Sequence, residues 1–374
     1  MLLEAFSDHE MARRATSVRD AAMERGLDAI AVTYALHVEW LTGTWGSQFW
    51  VAPLVVPVSG EPRFLVRRFD EDRVRAEGRI AAIETYFDRD DAIDSWAALL
   101  REAGLDRARI GLELDNHDLT HRDVTELQRR LPGLVVEDVS DLVPRLMARK
   151  SEEELLAMRI AGRRTRAAVE AFRIGLVPGV RELDVRAAME AAVRDAGGDA
   201  MRGGVAFGSH TTVPHGDDGE TRLAQGDPAY TECSGYHLGY CATLCRSAVL
   251  GRSVAAERLY DVARAAVDAV EAALRPGATT GAVDAATREI VERAGHGAAF
   301  RHRTGYAVGL RANGRLNLSL RPGGMETIEA GMTFHTPIIL IDPDVAGMAC
   351  SETFLVTETG AEPLIGLDRE LIRA

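Results

Sequence analysis

The segment YTECSGYHLGYCATLCRSAVLG, residues 230–251, decides how the rest of the chain is read. Small and apolar residues fill it on both sides of a short glycine-containing turn. It therefore reads as two strands of a hairpin, the first ending near Glu232 and the second running over about 240–250. Set into this hairpin are a glutamate, three cysteines, a histidine and an arginine. Polar groups in a buried hairpin cost free energy unless they are paired or used. The segment thus predicts the floor of an active site, with Glu232 and Arg246 among its candidate residues.

The cysteines contribute little to that prediction. Cys241 and Cys245 are four apart, which on a strand puts both on one face about 13 Å apart. That is no zinc knuckle, and small buried side chains are the simpler reading. The start, MLLEAFSDHEMARRATSVRD, lacks a basic stretch followed by an apolar core, so no signal peptide is expected and the thiols are expected to be reduced, as in the cytoplasm. No apolar run is long enough to span a bilayer. A net charge of −13 argues against a nucleic-acid partner, since phosphate backbones select basic faces.

Away from the hairpin the text divides near 147–151. Downstream, KSEEELLAMRIAGRRTRAAVEAFRIGLVPG opens a long helix with a Ser151/Glu154 capping box and closes at Gly179. Further helices are expected at 182–195, 255–274 and 282–294, and strands at 205–209, 302–310, 332–341 and 348–357. Long helices backing a mainly antiparallel sheet make an α+β domain, here 148–374. Upstream, short strands at 28–33, 51–58, 62–66, 109–114 and 134–138 alternate with helices at 7–26, 71–76, 92–103 and 119–130. That pattern is an α/β domain over 1–147. No glycine-rich phosphate loop follows any of these strands, which argues against a nucleotide site. Residues 37–50 read as a loop holding Trp40, Trp45 and Trp50, either a binding wall or a piece of core.

Strand-borne ionisable residues recur in the second domain where alternation predicts apolar ones. They are His215 in VPHG, Glu232 in YTEC, His302 in FRHRTGY, His335 in GMTFH and Glu352 in CSETF. Each alone is ordinarily a satisfied core or surface residue. Together they suit general acid/base work.

The order of these landmarks resembles the pita-bread superfamily of creatinases, prolidases and aminopeptidases P. The KSEEE helix, the PH segment, the hairpin with GY and an arginine, the histidine strand, AGM and VTETG follow one another as in that family. The first domain, with its LTG at 41–43, resembles the family's creatinase-type N-terminal domain. The resemblance implies an α/β N-terminal domain followed by an α+β pita-bread catalytic domain. Peptidases of the superfamily hold two metal ions on two Asp, a His and two Glu. Carried over, those positions become Glu232, Thr243, His302, Pro337 and Glu352. Thr243 and Pro337 supply no carboxylate, so no metal cofactor is expected. RTGYAVGL, LSLRPGG, GMTFH and SETFLVTETG further resemble the metal-independent ectoine hydrolase branch. The segment after GYAVGL, RANGRLN, departs from that branch.

The implied function is metal-independent hydrolysis of a C–N bond in a small zwitterionic compound, an ectoine-like or creatine-like amidine. His215, Glu232, His302 and Glu352 are the expected catalytic residues. The two glutamates pair with the amidinium nitrogens, or Glu232 attacks the carbon, and His215 moves protons. Tyr306 and His335 are expected to face the same cavity. Arg246, Arg303 or Arg321 binds the substrate carboxylate as a fork, although Arg246 could equally be a structural tie. The family further implies a homodimer in which the N-terminal domain, through the loop with Trp45, covers the partner's site. A metal-dependent Xaa-Pro dipeptidase and an inactive pita-bread binding module are the alternatives.

Overall fold

A computed structural model of the chain describes residues 4–47, 51–214, 219–311 and 318–374. His215, Trp50 and residues 312–317 lie outside the described residues. The chain divides into two compact units that meet in sequence at Met147 and Ala148.

The first unit is built on strands β1 (Ala29–Val32), β2 (Leu54–Pro57), β3 (Arg63–Arg67), β4 (Ala82–Tyr86), β5 (Arg109–Leu112) and β6 (Val135–Asp138). They form one mixed sheet ordered β4-β3-β2-β1-β5-β6. Helices α1 (Asp8–Glu24), α2 (Ala35–Thr42), α3 (Glu71–Glu77), α4 (Ala92–Glu102), α5 (His121–Arg130) and α6 (Leu142–Ala148) complete it. Ser7 caps α1 through its hydroxyl, which accepts the Glu10 N–H at 3.1 Å. Trp96, Leu99 and Leu100 of α4 pack on Ile110 and Leu112 of β5. Two elements carry no strong sequence signal. Strand β4 is only half-buried, so its alternation is weak, and α6 contains Pro144, tolerated because the first turn needs no N–H there. The stretch expected as a loop over 37–50 is helical up to Thr42, and Trp40 is fully buried in the core rather than on a wall.

The second unit contains α7 (Glu152–Gly175), α8 (Glu182–Asp195), β7 (Met201–Phe207), β8 (Pro228–His237), β9 (Tyr240–Val249), α9 (Val254–Ala273), α10 (Thr280–Arg293), β10 (Gly305–Ala307), β11 (Ser319–Leu320), β12 (Thr333–His335), β13 (Ile338–Asp342), β14 (Ala346–Cys350), β15 (Thr353–Val356), β16 (Ala361–Pro363) and β17 (Ile372–Arg373). The sheets run β17-β9-β8-β7, β11-β10-β12-β15-β16 and β13-β14. Among the described residues no helix is long and apolar enough to cross a membrane, and all four cysteines are free thiols.

The hairpin is longer than expected. Strand β8 continues past Glu232 to His237, and the turn is only Leu238 and Gly239, both left-handed at φ 49° and 76°. Two positive-φ residues give the turn twist that suits paired strands. Helix α7 presses on the hairpin and is stitched to it. The Thr165 hydroxyl donates to the Ala242 carbonyl at 2.6 Å and accepts the Gly235 N–H at 2.8 Å. A Cβ at Gly235 would stand 2.6 Å from the Arg164 side chain, so glycine permits the approach. The capping box at Ser151 forms, and Glu154 additionally accepts the buried Tyr240 hydroxyl at 2.5 Å.

The expected strands at 332–341 and 348–357 are each interrupted. The first breaks at Thr336 and Pro337, the second at Ser351 and Glu352, so the pair passes from one sheet to the other at a shared kink. There the Glu352 carbonyl accepts the Thr336 N–H at 3.0 Å. The kink determines which side chains reach the site.

Candidate active site

The hairpin register sets the floor. Glu232 lies directly opposite Cys245, and Ser234 opposite Thr243, so the four share one face. His335, at the end of β12, pairs in register with Tyr306 of β10 on one side and Thr353 of β15 on the other. A carboxylate oxygen of Glu232, the Cys245 sulfur and a ring nitrogen of His335 all lie within 4.8 Å of one another.

His335 is fully buried and held at both nitrogens. Its Nε2 is 2.9 Å from the Ser351 hydroxyl, and its Nδ1 is 3.3 Å from the Tyr306 hydroxyl and 4.0 Å from Glu232 Oε1. The Ser351 oxygen also accepts the Cys245 N–H at 2.5 Å, and its second lone pair and its own proton are both open to Nε2, so either neutral tautomer of His335 fits this contact. Burial pushes the imidazole pKa down to about 3, so the ring is neutral at ordinary pH. Burial, and then the nearby Glu232 charge, raises the Tyr306 phenol and the Cys245 thiol. The pocket thus sets one carboxylate against a neutral imidazole, a protonated phenol and a protonated thiol.

Tyr306 stands edge-on to His335, at 5.6 Å between ring centres. The Arg303 guanidinium lies 4.6 Å over the phenol ring and donates to Ser319 Oγ at 3.0 Å. Arg321 is mostly exposed, with Glu326 at 3.9 Å. Trp45 belongs to the first unit, where Arg73 stacks on its ring at 4.1 Å.

Three expected site residues have partners outside this cluster. Glu352 is fully buried on the opposite face, because the kink turns Ser351 toward His335 and its neighbour away. Its Oε1 accepts the Thr353 N–H at 3.1 Å, and its Oε2 is 3.7 Å from the Arg246 guanidinium with no hydrogen bond among the described residues. Burial, opposed by Arg246, raises its pKa to about 7. Arg246 is buried and engaged with the main chain. Its remaining N–H groups donate to the carbonyls of Asp368, Cys245, Ser351 and Leu367 at 2.6–3.0 Å. It ties the hairpin to the C-terminal segment and fixes the backbone at Ser351. His302 precedes β10 rather than lying on it, so it does not share a strand face with Tyr306. Its nitrogens lie 2.7 Å and 3.3 Å from the carbonyls of Arg303 and Ile339. Arg288 and the buried Asp284 pin that backbone, through the His302 carbonyl at 2.6 Å and the Thr304 hydroxyl at 2.8 Å.

His215 lies outside the described residues. The residues on either side of it are anchored to one buried side chain: Glu182 accepts the N–H groups of Phe207 at 2.7 Å and Gly219 at 2.9 Å, and pairs with His210.

Cys245 and Ser351 are site residues that the sequence reading passed over. Cys245 was within reach: a two-residue turn at 238–239 pairs positions summing to 477, which puts 245 across from 232. Ser351 was not, since its orientation depends on the kink.

A two-ion centre does not fit these residues. Of its five positions, Thr243 bonds the Ser234 hydroxyl at 2.7 Å, Pro337 has no donor, and His302 and Glu352 face other partners. Glu232 alone remains, and paired ions need bridging carboxylates.

Residues 156–358 match the model of metallopeptidase family M24, and residues 14–146 match the creatinase/prolidase N-terminal domain. An uncharacterized hydrolase/peptidase of Sinorhizobium fredii is 31% identical, with 98% of each chain covered. The ectoine hydrolase of Halomonas elongata is 26% identical over 98% of this chain and 97% of its own. Among solved structures, dipeptidase PepE from Mycobacterium ulcerans superposes with a TM-score of 0.88 at 26% identity, covering 98% of this chain and 99% of that one.

Proposed function

Because the chain belongs to metallopeptidase family M24, we propose that it is a hydrolase that cleaves a C–N bond of a small zwitterionic amidine without a metal ion. An ectoine-like cyclic amidine or a creatine-like amidine is the substrate class. The observation that carries this reading is the composition of the pocket. Glu232 is a single carboxylate facing a buried neutral imidazole and a protonated phenol, where a two-ion peptidase needs several carboxylates. An amidinium carbon is already cationic and electrophilic, so it calls for a carboxylate rather than a Lewis acid. Glu232 holds the amidinium and takes a proton from the attacking water. The water oxygen bonds to the carbon, the C–N bond breaks, and the proton passes to the leaving nitrogen. His335, through Nδ1, and the Tyr306 hydroxyl supply hydrogen bonds to the reacting group. Arg303 takes the substrate carboxylate as a planar fork. His215 is the imidazole that the sequence offers as a second proton carrier.

The likeness to a dipeptidase keeps a second reading, Xaa-Pro dipeptide hydrolysis with added metal. The proposed assembly is a homodimer in which Trp45 of one chain lines the other's site. The free thiols support a reducing, cytoplasmic setting.

The deciding experiment presents chelator-treated protein with ectoine, creatine, related cyclic amidines and Xaa-Pro dipeptides, following products by mass spectrometry. Turnover of an amidine that survives chelation is the expected result. Cleavage confined to dipeptides and dependent on added metal would overturn the reading.

A further inference from the structure

We propose that the pocket floor is a binding site for one thiophilic divalent cation of the zinc class, held by Glu232, Cys245 and His335, and that this ion blocks turnover rather than supporting it. The ion site stands apart from the proposed function, whereas the block rests on the reading of Glu232 as the carboxylate that holds the amidine.

The donor set is the first argument. A thiol, an imidazole and a carboxylate converge from three strands, with ligand atoms no more than 4.8 Å apart. In a tetrahedral zinc site, bonds of about 2.0–2.3 Å place neighbouring ligand atoms roughly 3–4 Å apart, so about 1 Å of side-chain movement closes the trio. Sulfur and imidazole nitrogen select zinc, cobalt or cadmium over the oxygen-seeking manganese or magnesium. Cys245 is therefore what distinguishes this site from a two-ion carboxylate centre. Its signature is a single equivalent bound through sulfur.

The surroundings are the second argument. Metal-binding imidazoles are usually fixed through their other nitrogen, and here Ser351 holds Nε2 at 2.9 Å while Nδ1 faces Glu232. Ser351 is in turn fixed by the Cys245 N–H, so one ligand's backbone orients another ligand's ring. On binding, the thiol proton leaves to solvent and the imidazole carries its proton on Nε2, where the second lone pair of the Ser351 oxygen accepts it. Glu232 keeps a partly exposed side chain, which provides an entry path. A cation held there occupies the carboxylate that the amidine needs, hence the block.

The test uses the full chain, stripped with chelator and titrated with cobalt(II) chloride under reducing conditions. The readout is the sulfur-to-cobalt charge-transfer band. The proposal expects that band to saturate at one equivalent per chain and to vanish on adding zinc. Cys245→Ser should abolish it, while Cys233→Ala, on the opposite face, should retain it. Ser351→Ala should weaken binding roughly ten- to a hundredfold. Thermal melts establish that each variant is folded. Two equivalents without a sulfur band would overturn the proposal, and so would no binding at all. Turnover measured alongside separates the two readings. If the cobalt-loaded protein is inhibited, both stand. If loading raises turnover, the ion site stands, but the block and the metal-free reaction fall. If stripped protein turns over and binds no ion, only the ion site falls.

Discussion

Cys245 and Arg246 are neighbours on one strand, and Ser351 and Glu352 are neighbours at one kink, yet each pair divides between two faces. On one face Cys245 and Ser351 join His335 and the partly exposed Glu232. On the other, Arg246 and Glu352 are sealed in the protein, 3.7 Å apart. The chain thus has two glutamates beside the same hairpin, one about a quarter exposed and one fully buried. A carboxylate that must meet a substrate needs access. One that ties backbone together needs burial and a cation. Residue type is the same in both places, and only the environment assigns the role.

The comparison breaks most sharply at Glu232. Glu232→Gln keeps the shape and removes the base, so turnover of the amidine should fall roughly 10²–10⁴-fold with little change in melting temperature. Steady-state kinetics beside a thermal melt check this. Near-full activity in the variant would remove Glu232 from the chemistry.

Arg246→Ala should do the reverse. It removes one donor from each of four main-chain carbonyls and leaves Glu352 buried without the Arg246 cation. Losing one partner of such a buried pair costs roughly 3–5 kcal/mol, a large part of a typical protein's stability. Urea unfolding is the measurement. A loss below about 1 kcal/mol, as for a surface ion pair, would show that Arg246 is not the tie described here.

How far the sequence reached follows the same division. The fold and the order of its parts were legible because they rest on local signals: caps at Ser7 and Ser151, helical periodicity, apolar strands. The pairing of Glu232 with the far strand was legible in principle, since a two-residue turn fixes register. The orientation of Glu352 was not. Alternation carries through a continuous strand, and the chain breaks at Ser351 and Glu352, where it changes sheets. Past that break it is Ser351, not Glu352, whose side chain meets His335. His302 lies off its expected strand for a related reason. A histidine just outside a short strand answers to backbone carbonyls, and nothing in FRHRTGY marks where the strand begins. For Trp40 wall and core stayed open, because aromatic density does not distinguish a loop from a buried helix.

Glu352 also gives the buried face a pH signature. Its pKa rises from an ordinary 4.5 to about 7 in the folded chain. Across that window the folded state binds more protons than the unfolded one, so stability contributed by this group falls as pH rises. Glu352→Gln removes that slope. The stability of the variant relative to the parent should therefore grow between pH 5 and pH 8, by roughly 3 kcal/mol at most. Parallel unfolding curves at the two pH values, with a constant gap, would mean that Glu352 ionises normally.

The smallest effect is expected where a metal position has been filled by hydroxyls. The Ser234 and Thr243 hydroxyls are hydrogen-bonded to each other at 2.7 Å on the Glu232 face, in the place where the family resemblance puts a carboxylate ligand. If that pair only closes the floor, Ser234→Ala should cost about 1 kcal/mol of stability, the worth of one buried hydrogen bond plus an unpaired partner. Turnover should stay within a few-fold of the parent. A large loss of activity at unchanged stability would instead place the hydroxyls among the groups that meet the substrate. The boundary between the working face and the structural one would then run through the hairpin itself and not between its two sides.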